Sequence, residues 1–254
     1  MRAADGRPPL ALVYHGVADV PRRRDPHGLC IPPGAMRRQI AWLRRRGYAL
    51  ITFGELVRRT AEGSGAGLAA LTFDDGFADN LHALVPLLGG LPATVFAVSG
   101  WLGSEHPDVA GARILDPDEL RRLHAAGVEI GAHTVTHPDL TQLTREAARE
   151  QLEGSRTALE AILETPVTSA AYPYGRATAE TVHACAAAGF SAAGRTTGQG
   201  APDRPLDFPR QDMSDGASLL GLRLKAADRY EPLMRHRPVR AVRRVRRAVV
   251  RALP

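Results

Sequence analysis

Residues 68–76, LAALTFDDG, contain the pattern that decides the fold: an apolar run followed by two adjacent carboxylates and a glycine. The run from Leu68 to Phe73 is short and apolar except for Thr72, which is typical of a strand buried on both faces of a sheet. Asp74-Asp75-Gly76 marks the end of that strand. Such a triplet is by itself typical of a surface turn, so its meaning depends on what surrounds it.

The same alternation of apolar strands and helical stretches extends in both directions from this segment. Before it, the pattern predicts strands at 10–14 and 48–53 and helices at 31–46 and 55–60. After it, the pattern predicts strands at 93–98, 128–132, 168–172 and 190–193, and helices ending at 88 and spanning 116–126, 144–163 and 177–188. Strands separated by helices of this length indicate parallel βαβ units, and about seven of them favour an α/β barrel over an open sheet.

Composition and charge exclude several classes of protein. Of the 254 residues, 44% are apolar and 24% charged, which is ordinary for a folded globular chain. No apolar run has the length of about 20 residues that a membrane span needs. Eight arginines and no acid lie in residues 235–254, so residues 1–234 carry a net charge of −2. We therefore expect a main domain at 1–234 and an Arg-rich tail at 235–254, with a nucleic-acid partner disfavoured because the basic charge is confined to the tail.

The first residues of the chain and its two cysteines indicate in which cellular compartment we expect the protein. The first apolar stretch, Leu10–Val13, is far shorter than the hydrophobic core of a signal peptide, so we expect a cytoplasmic protein. Cys30 and Cys185 form no disulfide framework, and we expect both to be buried free thiols.

Two further polar clusters follow predicted strands. His133-Thr134-Val135-Thr136-His137 places two histidines four residues apart, a spacing that puts both on one face of a helical turn. With one carboxylate from Asp74-Asp75 they would form a two-histidine, one-carboxylate metal site, and the other carboxylate could accept a proton. Tyr172-Pro173-Tyr174-Gly175 is a tight turn that could direct a backbone N–H into such a site.

TFDDG at 72–76, HTVTH at 133–137 and YPYG at 172–175 resemble the first three motifs of the polysaccharide deacetylase family, the NodB-homology domain of carbohydrate esterase family 4. The resemblance spans residues 10–215 and implies a distorted (β/α)7 barrel. It implies that Asp74 is the general base, that Asp75, His133 and His137 bind a divalent metal, most often zinc, and that Tyr174 contributes its backbone N–H to the oxyanion site.

The sequence departs from the family pattern in two places. The third motif often begins with an arginine that pairs with the base, but Ala170 or Ala171 stands here; Arg210, in Phe208-Pro209-Arg210, is our candidate for the missing charge. The late Leu-x-His motif is absent, whereas Leu12-Val13-Tyr14-His15 resembles the poly-N-acetylglucosamine deacetylase branch, in which that motif is permuted to the N-terminus. His15 is therefore our candidate catalytic acid, and a hydrogen-bonded core histidine is the alternative.

These roles predict a metal-dependent hydrolase that removes the acetyl group from the nitrogen of an amino sugar or N-acetylated glycan. The small number of aromatic residues, 6 Phe, 5 Tyr and 2 Trp, favours a small or lipid-linked sugar over a long glycan. Two alternatives remain: a sugar-binding barrel with weak or no catalysis, which the missing arginine favours, and a protein whose basic tail binds a membrane or nucleic acid.

The tail itself has a helical pattern. From Val239, the residues Val242, Val245 and Val249 recur at helical spacing among arginines. This pattern fits a basic amphipathic helix on an anionic membrane surface, at the inner face of the membrane. It equally fits a helix docked on the barrel, and a poorly ordered terminus is the simplest alternative.

Overall fold

The computed structural model describes residues 7–196, 202–213 and 218–227. The contacts within the chain divide it into two units, residues 1–217 and residues 218–254. The first unit contains the barrel, and the described part of the second contains one helix. The predicted Arg-rich tail and the predicted boundary at residue 234 lie outside the described residues.

The elements alternate along the chain as the sequence predicts. The strands are β1 (Leu10–Tyr14), β2 (Ala49–Ile51), β3 (Leu68–Phe73), β4 (Thr94–Ala97), β5 (Glu129–Ala132), β6 (Ser169–Ala171), β7 (Ala192–Arg195), β8 (Phe208–Pro209) and β9 (Gln211–Asp212). The helices are α1 (Pro33–Arg45), α2 (Phe53–Ala61), α3 (Val85–Leu88), α4 (Pro117–Ala125), α5 (Arg145–Leu163), α6 (Ala179–Ala187) and, in the second unit, α7 (Leu219–Ala226). A wide helical turn over Asn80–Leu84 leads into α3. In the described part of the chain, no helix is both long enough and apolar enough to cross a bilayer.

Parallel strands form the wall of the barrel. From β1 the hydrogen-bonded neighbours follow in the order β3, β4, β5, β6, β7 and β8, while β9 pairs with the other edge of β1. Only Arg210 separates β8 from β9, so residues 208–212 form one extended segment, which we call the closing segment. Its first half pairs with β7 and its second half with β1. The closing segment thereby brings the two edges of the sheet together, and the prediction of a distorted (β/α)7-type barrel is confirmed.

Strand β2 lies outside this circuit. It pairs with the first half of β3, with Leu50 opposite Ala69, whereas β4 pairs with the end of β3. The strand predicted for residues 48–53 is wrong at its end, because Thr52 accepts a hydrogen bond from the Glu55 amide and α2 begins at Phe53. A threonine in this position satisfies an amide that the first helical turn leaves unpaired.

The interior of the barrel holds aromatic rings surrounded by small side chains. The Phe53 ring contacts Phe96 and Phe208 edge-on, with ring centroids 5.4 and 5.8 Å apart. Alanines from four strands make room for these rings: Ala11, Ala70, Ala171 and Ala192. Burial of each phenylalanine contributes about 1.5–3 kcal/mol to the free energy of unfolding. The barrel is therefore a packed core rather than a channel.

The end of the barrel at which the strands begin is closed by hydrogen bonds. Glu129, at the start of β5, accepts hydrogen bonds from the Thr94 hydroxyl at 2.6 Å, the Ser169 hydroxyl at 2.9 Å and the Gly54 amide at 3.1 Å. These groups satisfy one another, so this end stabilises the fold and the opposite end is free for a functional site.

Helix caps and cysteines can also be compared with the sequence. The helix predicted from Thr144 is confirmed, since the Thr144 hydroxyl accepts the Ala147 amide and α5 begins at the next residue. Both cysteines are free thiols, as expected. Cys185 is buried, but Cys30 is only partly buried, so the expectation of burial is wrong for Cys30.

Candidate active site

The ends of the parallel strands bring residues from separate motifs to one end of the barrel. The residues that the sequence singles out lie there: His15 after β1, Asp74 and Asp75 after β3, His133 and His137 after β5, Tyr174 after β6, and Arg210 in the closing segment. The contacts between these side chains determine what the site can do.

Asp74 forms a two-pronged ion pair with Arg210. The Arg210 Nη1 and Nη2 atoms lie 2.7 and 2.9 Å from Oδ1 and Oδ2 of Asp74, and both residues are buried. Arg210 Nη1 also donates to the Thr72 hydroxyl at 3.2 Å. Burial alone would raise the pKa of Asp74, but Arg210 and then His133 outweigh burial and hold that pKa below its usual range. Asp74 is therefore ionised at neutral pH.

In this pair, Arg210 supplies the positive charge that the third motif lacks. Ala170 and Ala171 stand at the end of β6, where the resemblance places an arginine. The cation comes from the closing segment instead, 136 residues after Asp74. The structure thus places Arg210 where the sequence analysis expected a positive charge, and its part in a reaction stays a prediction.

Asp75 has one paired and one unpaired carboxylate oxygen. Its Oδ2 lies 3.1 Å from Nε2 of His106. Its Oδ1 is buried with no hydrogen-bond partner among the described residues, and it lies 3.6 Å from Nε2 of both His133 and His137. The backbone of Asp75 has a φ of 73°, a left-handed conformation that costs free energy for a residue other than glycine. The strained backbone directs Oδ1 towards the two histidines.

The two histidines each present Nε2 to Asp75. His133 Nδ1 lies 2.8 Å from the Ala171 carbonyl oxygen, so Nδ1–H donates and Nε2 carries the free lone pair. Burial, and then His133, lower the pKa of His137 to about 4. His137 is therefore neutral at pH 7, as a metal-binding imidazole must be.

The histidines converge through a loop rather than the predicted helical turn. Thr134 and His137 have φ values of 68° and 59°, which no helix contains. The Thr134 hydroxyl accepts the His137 amide at 3.0 Å, and Gln151 of α5 accepts the amides of Val135 and Thr136. The prediction of a helical turn is wrong because these side chains compete for the backbone amides that a helix would use.

Asp75, His133 and His137 fit a divalent metal ion. Their three ligand atoms lie within 4.8 Å of one another, the one such cluster found in the described residues. A carboxylate oxygen with two imidazole nitrogens is a common donor set that leaves positions open for water and substrate. The unpaired, buried Oδ1 of Asp75 supports this fit, because an anionic oxygen without a partner is costly unless a cation satisfies it.

His15 lies beside the two carboxylates. Strand β1 pairs with β3 so that Tyr14 is opposite Phe73, which places His15 next to Asp74. Burial raises the pKa of both aspartates, and the charge of His15 lowers it: for Asp74 this contribution follows those of Arg210 and His133, and for Asp75 it follows the hydrogen bond from His106 and exceeds those of His133 and His137. The Nδ1 atom of His15 is buried without a hydrogen-bond partner in the part of the chain that is described. A hydrogen-bonded core histidine, the alternative for His15, would have a partner for this buried nitrogen.

Two polar residues hold the backbone around His15. The buried Asn80 side chain donates to the His15 carbonyl at 3.0 Å. The Asp79 carboxylate accepts the Val17 amide at 2.8 Å, and burial raises the pKa of Asp79 to about 6. These bonds tie the chain after β1 to the chain after β3, so the position of His15 is coupled to that of Asp74.

Aromatic rings surround His137 at the rim. The Tyr174 ring lies 4.8 Å from the His137 ring and is 57% exposed, and Tyr174 has a φ of 57° within its turn. The Trp101 ring lies 5.1 Å from the His137 ring. These two rings contact a candidate metal ligand, and they suit contact with a sugar ring or an acetyl methyl group.

Sequence reasoning missed His106, Asp79 and Asn80. His106 lies in the loop between β4 and α4, 31 residues from Asp75, and no spacing pattern links the two. Asp79 and Asn80 closely follow TFDDG, and their proximity to that motif is the only signal that could have found them.

Comparisons with known proteins identify a family for this chain. A family model described as polysaccharide deacetylase matches residues 62–193, just over half of the chain, and includes both aspartates and both histidines of the site. A putative polysaccharide deacetylase of Bacillus subtilis (strain 168) is 26% identical over 197 residues, covering 76% of this chain and 66% of that protein. A chitooligosaccharide deacetylase of Sinorhizobium fredii is 32% identical over 136 residues, covering 51% of this chain and 57% of that protein. The chain thus spans less than two thirds of the length of these relatives.

Solved structures share the fold. IcaB from Ammonifex degensii superposes with a TM-score of 0.73 at 21% identity, covering 89% of this chain and 98% of that chain. The Streptococcus pyogenes deacetylase PplD, in complex with acetate, superposes with a TM-score of 0.69 at 21% identity, covering 80% of this chain and 91% of that chain. At these identities the two structures support the barrel architecture alone.

Proposed function

The chain belongs to the polysaccharide deacetylase family, and we propose that it is a metal-dependent hydrolase that removes the acetyl group from the nitrogen of an amino sugar. One observation carries this proposal: the buried, unpaired Oδ1 of Asp75 faces two histidines, next to a carboxylate that Arg210 keeps ionised. A metal-ligand set and a separate base thus lie side by side.

The metal would be held by Asp75, His133 and His137. We propose zinc, because one carboxylate and two imidazoles are ligands it accepts. When bound, such an ion acts as a Lewis acid that lowers the pKa of water and polarises a carbonyl group.

Each remaining residue has a defined task in this proposal. Asp74 accepts a proton from the water that attacks the acetamide carbon. His15 donates a proton to the departing amine, since an amine anion cannot leave at neutral pH. The Tyr174 backbone N–H donates to the oxygen that becomes negative, a contact worth roughly 3–4 kcal/mol when well placed. The products are acetate and a free amino sugar.

The substrate we propose is a small or lipid-linked N-acetylated sugar. Among the described residues, the aromatic rings beside His137 are the exposed Tyr174 and the partly buried Trp101, and the whole chain has few aromatic residues. Two rings suffice to contact one sugar unit. A long glycan would require a longer series of such rings.

The alternative of a sugar-binding barrel without catalysis loses its main support. That alternative depends on the missing arginine of the third motif, and Arg210 pairs with Asp74 in its place.

Acetate release tests the proposal. Metal-stripped and zinc-reloaded protein would be assayed on N-acetylglucosamine, its oligomers and lipid-linked N-acetyl sugars, together with measurement of bound metal per chain. We expect zinc-dependent acetate release from at least one of these. Asp74→Asn should keep the metal and lose about 10²-fold or more in turnover, whereas Asp75→Asn should lose the metal.

The matched control is Asp118→Asn, which changes an exposed carboxylate on α4 and should alter neither measurement. Stoichiometric binding of metal without acetate release from any of these sugars would contradict the proposed hydrolase and favour a sugar-binding protein. Loss of metal from Asp74→Asn but not from Asp75→Asn would reverse the two roles.

A further inference from the structure

We propose that His106 is a positioning residue that holds Asp75 as a metal ligand through one oxygen only. The inference rests on the proposed function, because it concerns the metal that the proposed reaction uses. It assigns a task to a buried histidine that lies outside every motif of the sequence analysis.

The hydrogen bonds of His106 determine which of its nitrogens carries the proton. The Asp108 amide donates to His106 Nδ1 at 3.0 Å, so Nδ1 must offer its lone pair. The proton of the neutral ring is then on Nε2, which lies 3.1 Å from Oδ2 of Asp75. His106 therefore donates to Asp75, and both side chains are buried.

The hydrogen bond from His106 makes the two carboxylate oxygens of Asp75 different from each other. Oδ2 is occupied by His106, and Oδ1 remains unpaired and faces His133 and His137. Without the bond, the carboxylate could rotate about its last torsion, and Oδ2 would be left buried and unpaired. Groups that orient a ligand in this way typically change metal affinity by about 10- to 100-fold.

His106 is itself held rigidly. Its ring stacks on Phe77 at a centroid distance of 4.5 Å and meets the Trp101 ring edge-on at 5.4 Å. Its backbone amide donates to the Ala112 carbonyl at 2.7 Å. The ring therefore has little freedom to follow a moving carboxylate.

The loop that carries His106 is fastened to the residues that directly follow Asp75. The Leu115 amide donates to the Gly76 carbonyl at 2.9 Å, and the Ala78 amide donates to the Arg113 carbonyl at 2.8 Å. Donor and acceptor thus belong to one connected piece of backbone, and the geometry of their bond is fixed before any metal arrives.

The test is metal affinity of the full-length, metal-free protein, measured with zinc by competition against a chelator. His106→Phe keeps a ring between Phe77 and Trp101 but removes the donor, and we expect zinc affinity to fall about 10- to 100-fold. His106→Gln can still donate an N–H, and we expect it to recover part of that loss. His183→Phe is the matched control, since it removes an exposed histidine on α6, and its zinc affinity should equal that of the wild type.

A spectroscopic measurement separates positioning from general damage. In cobalt-substituted protein, the visible spectrum should change in His106→Phe and move back towards the wild type in His106→Gln, while thermal unfolding of the metal-free proteins shows whether each variant is folded. Equal zinc affinity and an unchanged cobalt spectrum in folded His106→Phe would overturn the inference and leave the proposed function intact. A wild-type protein that binds no divalent metal would overturn both. If His106→Phe does not fold, His106→Leu replaces it as the variant without a donor: a loss of about 10- to 100-fold in zinc affinity in folded His106→Leu supports the inference, and unchanged affinity overturns it.

Discussion

At the scale of single residues, the site consists of buried charges and the partners that hold them. Arg210 and His106 each bind one of two adjacent carboxylates, and they leave the two with different properties. Asp74 has both oxygens paired with a cation, whereas Asp75 keeps one oxygen free. Two neighbouring aspartates thus acquire separate tasks from their partners rather than from their own chemistry.

The pair between Asp74 and Arg210 predicts a shift in the pH profile. Arg210→Lys keeps a charge but cannot make two parallel bonds, so the pKa of Asp74 should rise. The deprotonated base would then require a higher pH, and the acidic limb of kcat/KM should move to higher pH, with a roughly 10-fold lower maximum. An acidic limb that stays in place would show that Arg210 does not set the protonation of the base.

His15 predicts a dependence on the leaving group. His15→Ala should lower amide hydrolysis by about 10²-fold or more, because the amine can no longer be protonated as it departs. Hydrolysis of a nitrophenyl acetate should suffer much less, since a phenolate leaves without a proton. Asp74→Asn is the comparison that should lower both rates. Equal losses on amide and ester in His15→Ala would remove His15 as the acid.

Site residues could be predicted where spacing or a motif marks them. Asp74, Asp75, His133 and His137 lie in short patterns, and the structure brings them together. His106 could not be found in this way, because its tie to Asp75 depends on how a long loop folds back over the barrel.

At the scale of elements, α4 begins at a dense group of charges. The Glu119 carboxylate accepts hydrogen bonds from Nη1 and Nη2 of Arg113, both at 2.6 Å, and from the Asp116 amide at 3.1 Å. His82 Nε2 lies 3.0 Å from Oε1 of Glu119. The Asp116 side chain in turn accepts the Glu119 amide, which completes a capping box. This group joins α4 to the loop that carries His106.

Glu119 predicts a stability that depends on pH. The hydrogen bond from Arg113 is the largest cause that lowers the pKa of Glu119, from 4.5 to about 2. A carboxyl whose pKa is lowered on folding stabilises the fold above its unfolded pKa and loses that effect as the pH falls. Glu119→Gln should therefore lower the free energy of unfolding by about 1–2 kcal/mol at pH 7, a range reduced because Arg113 is half exposed.

The measurement is chemical denaturation of wild type and variant at several pH values. The difference between them should be fully present above about pH 4.5 and shrink as the pH falls towards 2. Glu62→Gln, at the exposed residue that directly follows α2, is the control and should cost less than about 0.5 kcal/mol. If the difference in free energy of unfolding between wild type and Glu119→Gln did not depend on pH, ionised Glu119 would not be the source of the stabilisation.

Most elements could be predicted because apolar periodicity and caps dominate their local energetics. Helix α5 begins where Thr144 indicates, and β3 has its predicted bounds. The closing segment escaped prediction because its two strands are only two residues long and one contains Pro209. Its extended form comes from pairing with β7 and β1, which no local pattern encodes.

At the scale of the whole molecule, the concentration of arginine in residues 235–254 predicts binding to anionic membranes. Residues 235–254 lie outside the described residues, so the proposed contact with an anionic membrane rests on their sequence alone. Each arginine near such a surface contributes roughly 1 kcal/mol. The full chain should therefore co-sediment with anionic vesicles and not with neutral ones, and salt should weaken this binding. Deletion of residues 235–254 should abolish it, and equal binding by the shortened chain would exclude the tail.

The order of synthesis gives the closing segment a further consequence. Among the described strands of the barrel, a ribosome makes β1 first and residues 208–212 last, yet these two pair with each other in the finished barrel. Until Arg210 emerges, the nascent chain has two open sheet edges, and Asp74 lacks a cation that is encoded 136 residues later. Closure thus depends on a contact between distant parts of the chain, which folds slowly. A polypeptide released before residue 210 lacks that cation. The ion pair between Asp74 and Arg210 can therefore form only in a chain that has been translated through the whole barrel.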